Sequence, residues 1–155
     1  MKKNRRQFGF SLIELLIVIA IILIILAVAM PKLNKARMYS QEMAALQAIR
    51  TLHTAQTQYY SQYGKYATSL AELGPPASGG AEGIAAAGLI SEDIALGEKQ
   101  GYKYTLSGVP GGYVINAAPV AFGTSGSRTF YSDQAMVVRQ NFSQEPATAT
   151  SEAVK

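Results

Sequence analysis

One apolar run near the N-terminus restricts the possible folds of this chain more than any other feature. No polar side chain occurs from Leu15 to Met30, and a run of this length is too long for a buried strand. As a helix, the stretch from Phe10 to Met30 would cover roughly 30 Å, about the thickness of the hydrocarbon core of a bilayer. We therefore predict a membrane-spanning helix over residues 10–31.

Cationic residues lie directly before this run. Lys2, Lys3, Arg5 and Arg6 are four of the 14 lysines and arginines, and such clusters remain on the cytoplasmic side of a membrane. The chain is thus predicted to cross a membrane once, with its N-terminus in the cytoplasm. The remaining 10 basic residues are balanced by 10 acidic residues, so the net charge does not indicate a nucleic-acid-binding surface.

The apolar segment is not expected to be removed as an ordinary secretory signal. Such signals end in a small-residue cleavage site, whereas this run ends at Met30 and is followed directly by Pro31 and a polar stretch. The small residue, Gly9, lies before the run instead. We therefore expect the apolar helix to stay in the protein.

A second, amphipathic half of the helix is predicted beyond Pro31. Proline removes one backbone hydrogen bond, so a kink is expected there. From Lys32 to about Tyr63, apolar residues recur every three or four positions, which is typical of a helix that is apolar on one side. Gly64 is then a natural helix end. The apolar stripe consists of Ala45, Ile49, Leu52, Ala55, Tyr59 and Tyr63.

The segment after this helix is predicted to consist of loops and short helical turns. One turn is expected to open at Thr68 or Ser69, and another lies within residues 89–96. The glycine- and alanine-rich stretch from Gly74 to Gly88 between them is typical of a surface loop.

The last third of the chain is predicted to form an antiparallel meander. After Gly101, turn residues separate four runs rich in β-formers, which read YKYTLS, GYVINAA, RTFYS and AMVVRQ. A sheet this small needs a second layer, so it should pack on the helix stripe and give an α+β head over residues 32–142. The tail, residues 143–155, has no apolar pattern and is predicted to be disordered. Candidate sheet residues for the contact are Tyr102, Tyr104, Tyr113, Ile115, Phe130 and Val138.

Glu14 is the residue most indicative of function, because it lies among leucines and isoleucines of the apolar segment. An ionised carboxylate near a bilayer centre costs about 2.5–3.5 kcal/mol on insertion scales, so such groups usually have a partner and a role. If the chain were cut after Gly9, the new α-amino group of Phe10 would lie one helical turn from Glu14. It could pair with that carboxylate within one chain or between neighbouring chains.

The stretch Gly9-Phe10-Ser11-Leu12-Ile13-Glu14, preceded by cations and followed by the apolar run, closely resembles the class III signal of type IV pilins and type II secretion pseudopilins. The resemblance implies cleavage after Gly9 by a prepilin peptidase, with residues 1–9 as the leader. It also implies N-methylation of Phe10, recruitment and registration of subunits by Glu14, and a helix-kinking role for Pro31.

The same family implies the partners of the chain. An inner-membrane assembly platform would build many copies into a helical filament, either an extracellular pilus or a periplasmic pseudopilus. The segment from Tyr63 to Leu73 is also similar to the one that follows the long helix in many such pilins.

Three departures from the family pattern bear on the subfamily. The apolar run contains no glycine, so local loosening of the helix would rest on Pro31 alone, and the absence of cysteine rules out a closing disulfide. Major pseudopilins often carry an acidic calcium loop, but the corresponding stretch here has one carboxylate, Asp133. Calcium takes about six to eight oxygen ligands, so Asp133 is interpreted as a turn residue.

Other chemistry has little support in the sequence. His53 is the single histidine, has no acidic or cysteine neighbour in sequence, and is expected to be solvated or packed. No catalytic residue, metal site or cofactor is predicted. The aromatic residues that could suggest an electron path are interpreted as packing residues. They are Phe10, Tyr39, Tyr59, Tyr60, Tyr63 and Tyr66.

The sequence therefore predicts a non-enzymatic structural subunit that is type IV pilin-like and polymerises through its N-terminal helix. A major pseudopilin of a type II secretion system and a minor pilin at a filament tip are the alternatives within this class. A membrane-anchored binding or enzymatic domain is the alternative from another class. Adhesion, motility, DNA uptake and secretion all remain open as the role of the filament.

Overall fold

The computed structural model describes residues 9–77 and 80–154. The leader cations Lys2, Lys3, Arg5 and Arg6 lie outside the described residues. The chain divides into two compact units, Met1–Ala36 and Arg37–Lys155.

The longest element is helix α1, which runs over Leu12–Tyr63 and contains Pro31. In the first unit all its described side chains are exposed. In the second unit the predicted stripe is confirmed, because Ala45, Ile49, Leu52, Ala55 and Tyr59 are buried and Tyr63 is partly buried.

Gly64 ends α1, as predicted. Its φ is +69°, a left-handed conformation that glycine adopts without a Cβ clash, and its N–H donates to the Tyr60 carbonyl at 2.8 Å. Two short helices follow, α2 at Leu70–Leu73 and α3 at Glu92–Ala95. Both were expected from the sequence.

The second unit contains a six-stranded antiparallel sheet whose spatial order is the order in the chain. The predicted meander is therefore confirmed, and the α+β fold class with it. The strands are β1 Glu98–Lys99, β2 Tyr102–Val109, β3 Gly112–Pro119, β4 Thr129–Asp133, β5 Arg139–Asn141 and β6 Glu152–Ala153.

The fourth predicted run, AMVVRQ, is only partly a strand. Met136 has a φ of +60° and its N–H donates to the Asp133 carbonyl at 2.9 Å, which closes a turn. Strand β5 therefore begins only at Arg139. The edge strands β1 and β6 have two residues each, too few to leave an alternating pattern in the sequence.

The core lies between the stripe of α1 and one face of the sheet. Along β2, Tyr102, Tyr104 and Leu106 are buried and alternate with exposed residues, as expected for a half-buried strand. The predicted contact residues Tyr113, Ile115 and Phe130 are also buried, and Val138 is partly buried. Burying a side chain such as Phe130 stabilises the fold by about 1.5–3 kcal/mol.

The prediction of a disordered tail over residues 143–155 is wrong for the residues described there, which extend to 154. Strand β6 pairs with β5, and Ala147 is buried. The Thr129 hydroxyl donates to the Glu145 carbonyl at 2.8 Å. This segment is ordered by backbone hydrogen bonds and one small buried side chain, and neither produces an apolar period in the sequence.

Candidate processing and assembly site

The peptide bond between Gly9 and Phe10 is exposed and lies outside the helix. Helix α1 begins at Leu12, and both Gly9 and Phe10 are exposed. A Cβ built on Gly9 would meet no atom within 4 Å. Exposed, non-helical backbone is the preferred substrate of proteases, so within the described chain this bond is open to a peptidase.

A hydrogen bond between Ser11 and Glu14 closes the N-terminal end of α1. The backbone N–H of Ser11 donates to Oε2 of Glu14 at 2.8 Å. Ser11 directly precedes the first helical residue, and Glu14 is the third residue of the helix, which are the positions of a capping box. A carboxylate there also interacts favourably with the positive end of the helix dipole.

This intrachain partner of Glu14 was missed by the sequence analysis, which considered only the amine of a cleaved chain. The signal was present as Ser11-Leu12-Ile13-Glu14, the S-x-x-E pattern of a helix start. The pairing of Glu14 with the Phe10 α-amino group stays a prediction, because that amine exists only after cleavage.

The apolar part of α1 has no covering layer in the part of the chain that the structure describes. It is the one helix there that is long and apolar enough to cross a membrane, and none of its most apolar stretch is buried. A helix that is apolar on all sides requires an apolar environment. Pro31 lies inside α1 and does not end it.

His53 is a buried residue of α1 that packs against the sheet. The sequence predicted that it would be either solvated or packed, and it is packed. Its Nδ1 lies 2.7 Å from the Tyr113 hydroxyl, and its Nε2 lies 2.8 Å from the Ser132 hydroxyl. Ser132 donates its own hydrogen to the Val137 carbonyl at 3.0 Å. It must therefore accept from Nε2–H, and in the neutral imidazole Nδ1 then accepts from the Tyr113 hydroxyl.

The surroundings of His53 favour this neutral form. Burial lowers the pKa of His53, and the nearby Asp133 carboxylate opposes that shift. Burial also raises the pKa of Tyr113 to about 12, so the phenol remains a donor. The contact between Ser132 and His53 resembles a nucleophile–base pair only superficially, because the Ser132 side chain is fully buried. We interpret the cluster as a structural link between α1, β3 and β4.

A buried ion pair that the sequence analysis missed links α1 to the segment before β4. Glu42 is 4% exposed and accepts from Nε and Nη2 of Arg128 at 2.9 and 2.7 Å. The backbone N–H and the hydroxyl of Ser127 each donate to its other oxygen at 2.8 Å. Glu42 lies three residues before Ala45 and so falls on the apolar stripe. An acid on the buried face of a helix was the sequence signal for a buried ion pair.

Asp133 lies in a turn, as predicted. Its carboxylate accepts from the Ala135 N–H at 2.9 Å, the pattern of an Asx-turn. Among residues 9–77 and 80–154, no three His, Cys, Asp or Glu side chains come together in a way that could hold a metal ion.

The tyrosines near the end of α1 are in aromatic contact, as their interpretation as packing residues requires. Ring centroids are 4.7 Å apart for Tyr59 and Tyr63, 4.7 Å for Tyr60 and Tyr66, and 5.0 Å for Tyr66 and Tyr113. Such distances are typical of packed aromatic pairs. Tyr39 differs, because its side chain is exposed.

Comparison with known proteins identifies the N-terminal segment. Residues 4–30 match the family model described as the prokaryotic N-terminal methylation motif, and this range includes the bond after Gly9, Glu14 and the whole apolar run. The predicted resemblance to the class III signal of prepilins and pseudopilins is thereby confirmed. No curated protein and no solved structure matches the chain.

The motif and the fold are consistent with each other. A long N-terminal helix with an apolar span, followed by an antiparallel sheet, is an α+β layout of the type IV pilin kind. The N-terminal segment thus carries a prepilin-type motif, and the layout of the chain resembles that of type IV pilins.

Proposed function

We propose that this chain is a structural subunit that is cleaved between Gly9 and Phe10, N-methylated on Phe10, and polymerised into a helical surface filament. One observation carries the proposal. The methylation motif contains an exposed, non-helical bond shortly before the start of a capped helix. The apolar surface of that helix is uncovered in the described chain. A processing enzyme needs the exposed bond within the motif, and polymerisation needs the uncovered apolar surface.

Before assembly, the subunit would be a single-pass protein of the inner membrane with its leader in the cytoplasm. The four leader cations favour that orientation. The class III signal indicates that a prepilin peptidase cuts there, which would make residues 1–9 the removed leader and residues 10–31 the filament-core helix. The head, from residue 32 on, would lie on the other side of the membrane.

Cleavage would give Glu14 a second partner. The capping hydrogen bond already holds the Glu14 carboxylate at the N–H of Ser11, the residue next to the future amine of Phe10. In an apolar environment, leaving either charge unpaired is costly, so the amine and carboxylate are expected to neutralise each other within one chain or across two. Pairing across two chains would set the axial register of neighbouring subunits.

Assembly would exchange lipid for other copies of the same helix. Association of apolar helices in a membrane depends on close packing rather than on a hydrophobic driving force. Pro31 has no N–H to donate within α1, which makes this part of the helix the easiest to loosen during extraction. An inner-membrane platform would drive that step.

Within the class, we favour a pilus over the pseudopilus of a type II secretion system. The single acid of the loop that would bind calcium in many pseudopilins, Asp133, is held in a turn through Ala135. A membrane-anchored binding domain is the alternative from another class, and it would not require Glu14.

N-terminal sequencing and intact-mass analysis of the protein from its native envelope test the proposal. We expect a chain that begins at methylated Phe10 and is recovered in sheared filaments. A Glu14→Ala variant should be cleaved but absent from filaments, whereas Glu98→Ala, which removes an exposed acid of the head, should assemble normally. A chain that begins at Met1, or a Glu14→Ala variant that assembles like wild type, would contradict the proposal.

A further inference from the structure

Two lysines lie directly beyond the apolar run, on the side of the head. Lys32 and Lys35 are both exposed and are three residues apart on α1, which places them on the same face of the helix. Neither can meet Glu14 along the helix, because 18 or more residues separate them. They form a compact cation pair in the first unit, and we call them the outer lysine pair.

The outer lysine pair has no acidic partner in the described chain. All ten acidic side chains lie within residues 9–77 and 80–154, and the ion pairs there are Lys99–Asp93 and Arg128–Glu42. The nearest acid that follows in sequence is Glu42, whose oxygens already accept from Arg128 and Ser127. Two ammonium groups therefore remain available to an external anion.

The position of the pair along the helix indicates which anion. With a rise of about 1.5 Å per residue, Lys32 lies roughly 3 Å and Lys35 roughly 8 Å beyond Met30 along the helix axis. The headgroup region of a bilayer extends about 5–8 Å beyond the hydrocarbon core on each side. If the apolar run spans the core, both ammonium groups lie at the depth of the lipid phosphates, and their flexible stems allow small adjustments.

We propose that the outer lysine pair binds the headgroups of anionic phospholipids in the leaflet on the side of the head, and so sets the depth of the unassembled subunit. The inference rests on the proposed function only in requiring that the apolar run spans a membrane. Attraction to an anionic surface favours such lipids about fivefold for each lysine.

Cleavage of the leader changes how strongly each end of the apolar helix is attracted to the membrane. Before cleavage, the cations Lys2, Lys3, Arg5 and Arg6 are attracted to the cytoplasmic leaflet. After cleavage, only the Phe10 amine remains on that side, while the outer lysine pair is unchanged. The electrostatic attraction to the membrane then acts mainly on the head side, which lowers the resistance to outward movement of the subunit.

The absence of cysteine from the chain allows a direct test. The full chain with Asn34→Cys, an exposed position between the two lysines, is labelled with a fluorophore. It is then reconstituted into vesicles of phosphatidylcholine with a minority of phosphatidylglycerol. In one set the phosphatidylglycerol carries a bromine quencher on its upper acyl chain, and in the other set the phosphatidylcholine carries it.

Quenching per mole of quencher should be severalfold higher for phosphatidylglycerol and should decrease with added salt. The ratio of quenching by phosphatidylglycerol to quenching by phosphatidylcholine should fall to about one in Lys32→Gln/Lys35→Gln. It should be retained in Lys32→Arg/Lys35→Arg. The matched control Lys65→Gln/Lys103→Gln removes two exposed lysines of the second unit and should leave the ratio unchanged. Glutamine and lysine have similar helix propensity, so helix content measured by circular dichroism should be equal in all variants.

A ratio of one in the unsubstituted chain would overturn the inference, as would a high ratio that survives Lys32→Gln/Lys35→Gln. A third result would also overturn the inference: fluorophores on neighbouring chains quench each other as the protein concentration rises, this effect requires the two lysines, and no lipid is preferred. In that case the lysines would bind a second copy of this chain. Lipid selectivity without filaments in cells would contradict the proposed function alone. Normal filaments with a ratio of one would contradict this inference alone.

Discussion

The backbone N–H of Ser11 lies 2.8 Å from Oε2 of Glu14 and donates to it. One carboxylate thus has two possible roles, since it closes the helix in the uncut chain and carries the negative charge on which assembly is proposed to depend. The two roles can be separated because capping needs a hydrogen-bond acceptor, whereas pairing with an amine needs a charge.

Substitution of Glu14 by Gln and by Ala should separate these roles. Glutamine can accept the Ser11 N–H as glutamate does, so Glu14→Gln should keep the helix start but fail to assemble. Glu14→Ala should fail to assemble and also lose the capping bond, which contributes about 0.5–1.5 kcal/mol. Amide exchange at Ser11 in detergent and the yield of sheared filaments measure the two effects. Filaments at normal yield in Glu14→Gln would show that the charge is not needed.

Gly9→Val should block processing without changing the fold. The space around the Gly9 Cβ position is open, so any requirement for glycine comes from the peptidase and not from packing in the described chain. We expect uncut protein by intact mass and an unchanged unfolding midpoint. Gly83→Val is a matched control, because the space around Gly83 is equally open, and it should be processed normally. Efficient cleavage of Gly9→Val would contradict the assignment of the cleavage site.

The stability of the second unit should depend on pH through His53. Its pKa is lowered in the folded state by burial, so the unfolded state binds more protons at acidic pH. This contribution is complete above the ordinary value of 6.5 and is lost as the pH falls through the lower pKa of the folded state. Denaturant unfolding of the full chain in detergent, measured over a series of pH values, should show the decline, and His53→Gln should reduce it.

A second variant checks the direction of this effect. Asp133 opposes the lowering of the His53 pKa, so Asp133→Asn should lower that pKa further. The loss of stability should still begin near the ordinary value of 6.5 but continue to lower pH, so the total loss in acid should be larger than in the unsubstituted chain. A smaller loss of stability in acid would contradict the assigned electrostatics.

Removing one partner of the buried pair between Glu42 and Arg128 should be strongly destabilising. Glu42→Leu leaves the Arg128 guanidinium without its carboxylate partner, at a cost of about 3–5 kcal/mol. The double variant Glu42→Leu/Arg128→Met removes both charges and should recover most of that loss. A double-mutant cycle from denaturant unfolding measures the coupling between the two residues. Additive losses would show that the contact contributes little.

The N-terminal motif and the apolar helix could be read from local sequence patterns. The run from Leu15 to Met30 restricts its environment by length alone, and the signal around Gly9 and Glu14 requires only adjacent residues. The stripe that ends at Tyr63 predicted the buried face of α1, because a helix repeats every three to four residues whatever it packs against.

Other features join residues that are distant in sequence, and no local pattern predicts them. Glu42 meets Arg128 across 86 positions, and His53 meets Ser132 across 79. The order of the C-terminal segment depends on pairing between Arg139 and Ala153. The apolar helix, its processing signal and the meander are predictable without the structure, since each is encoded by near neighbours. Which polar groups are buried together, and whether the tail is ordered, depended on which strand edges and helix faces meet on folding.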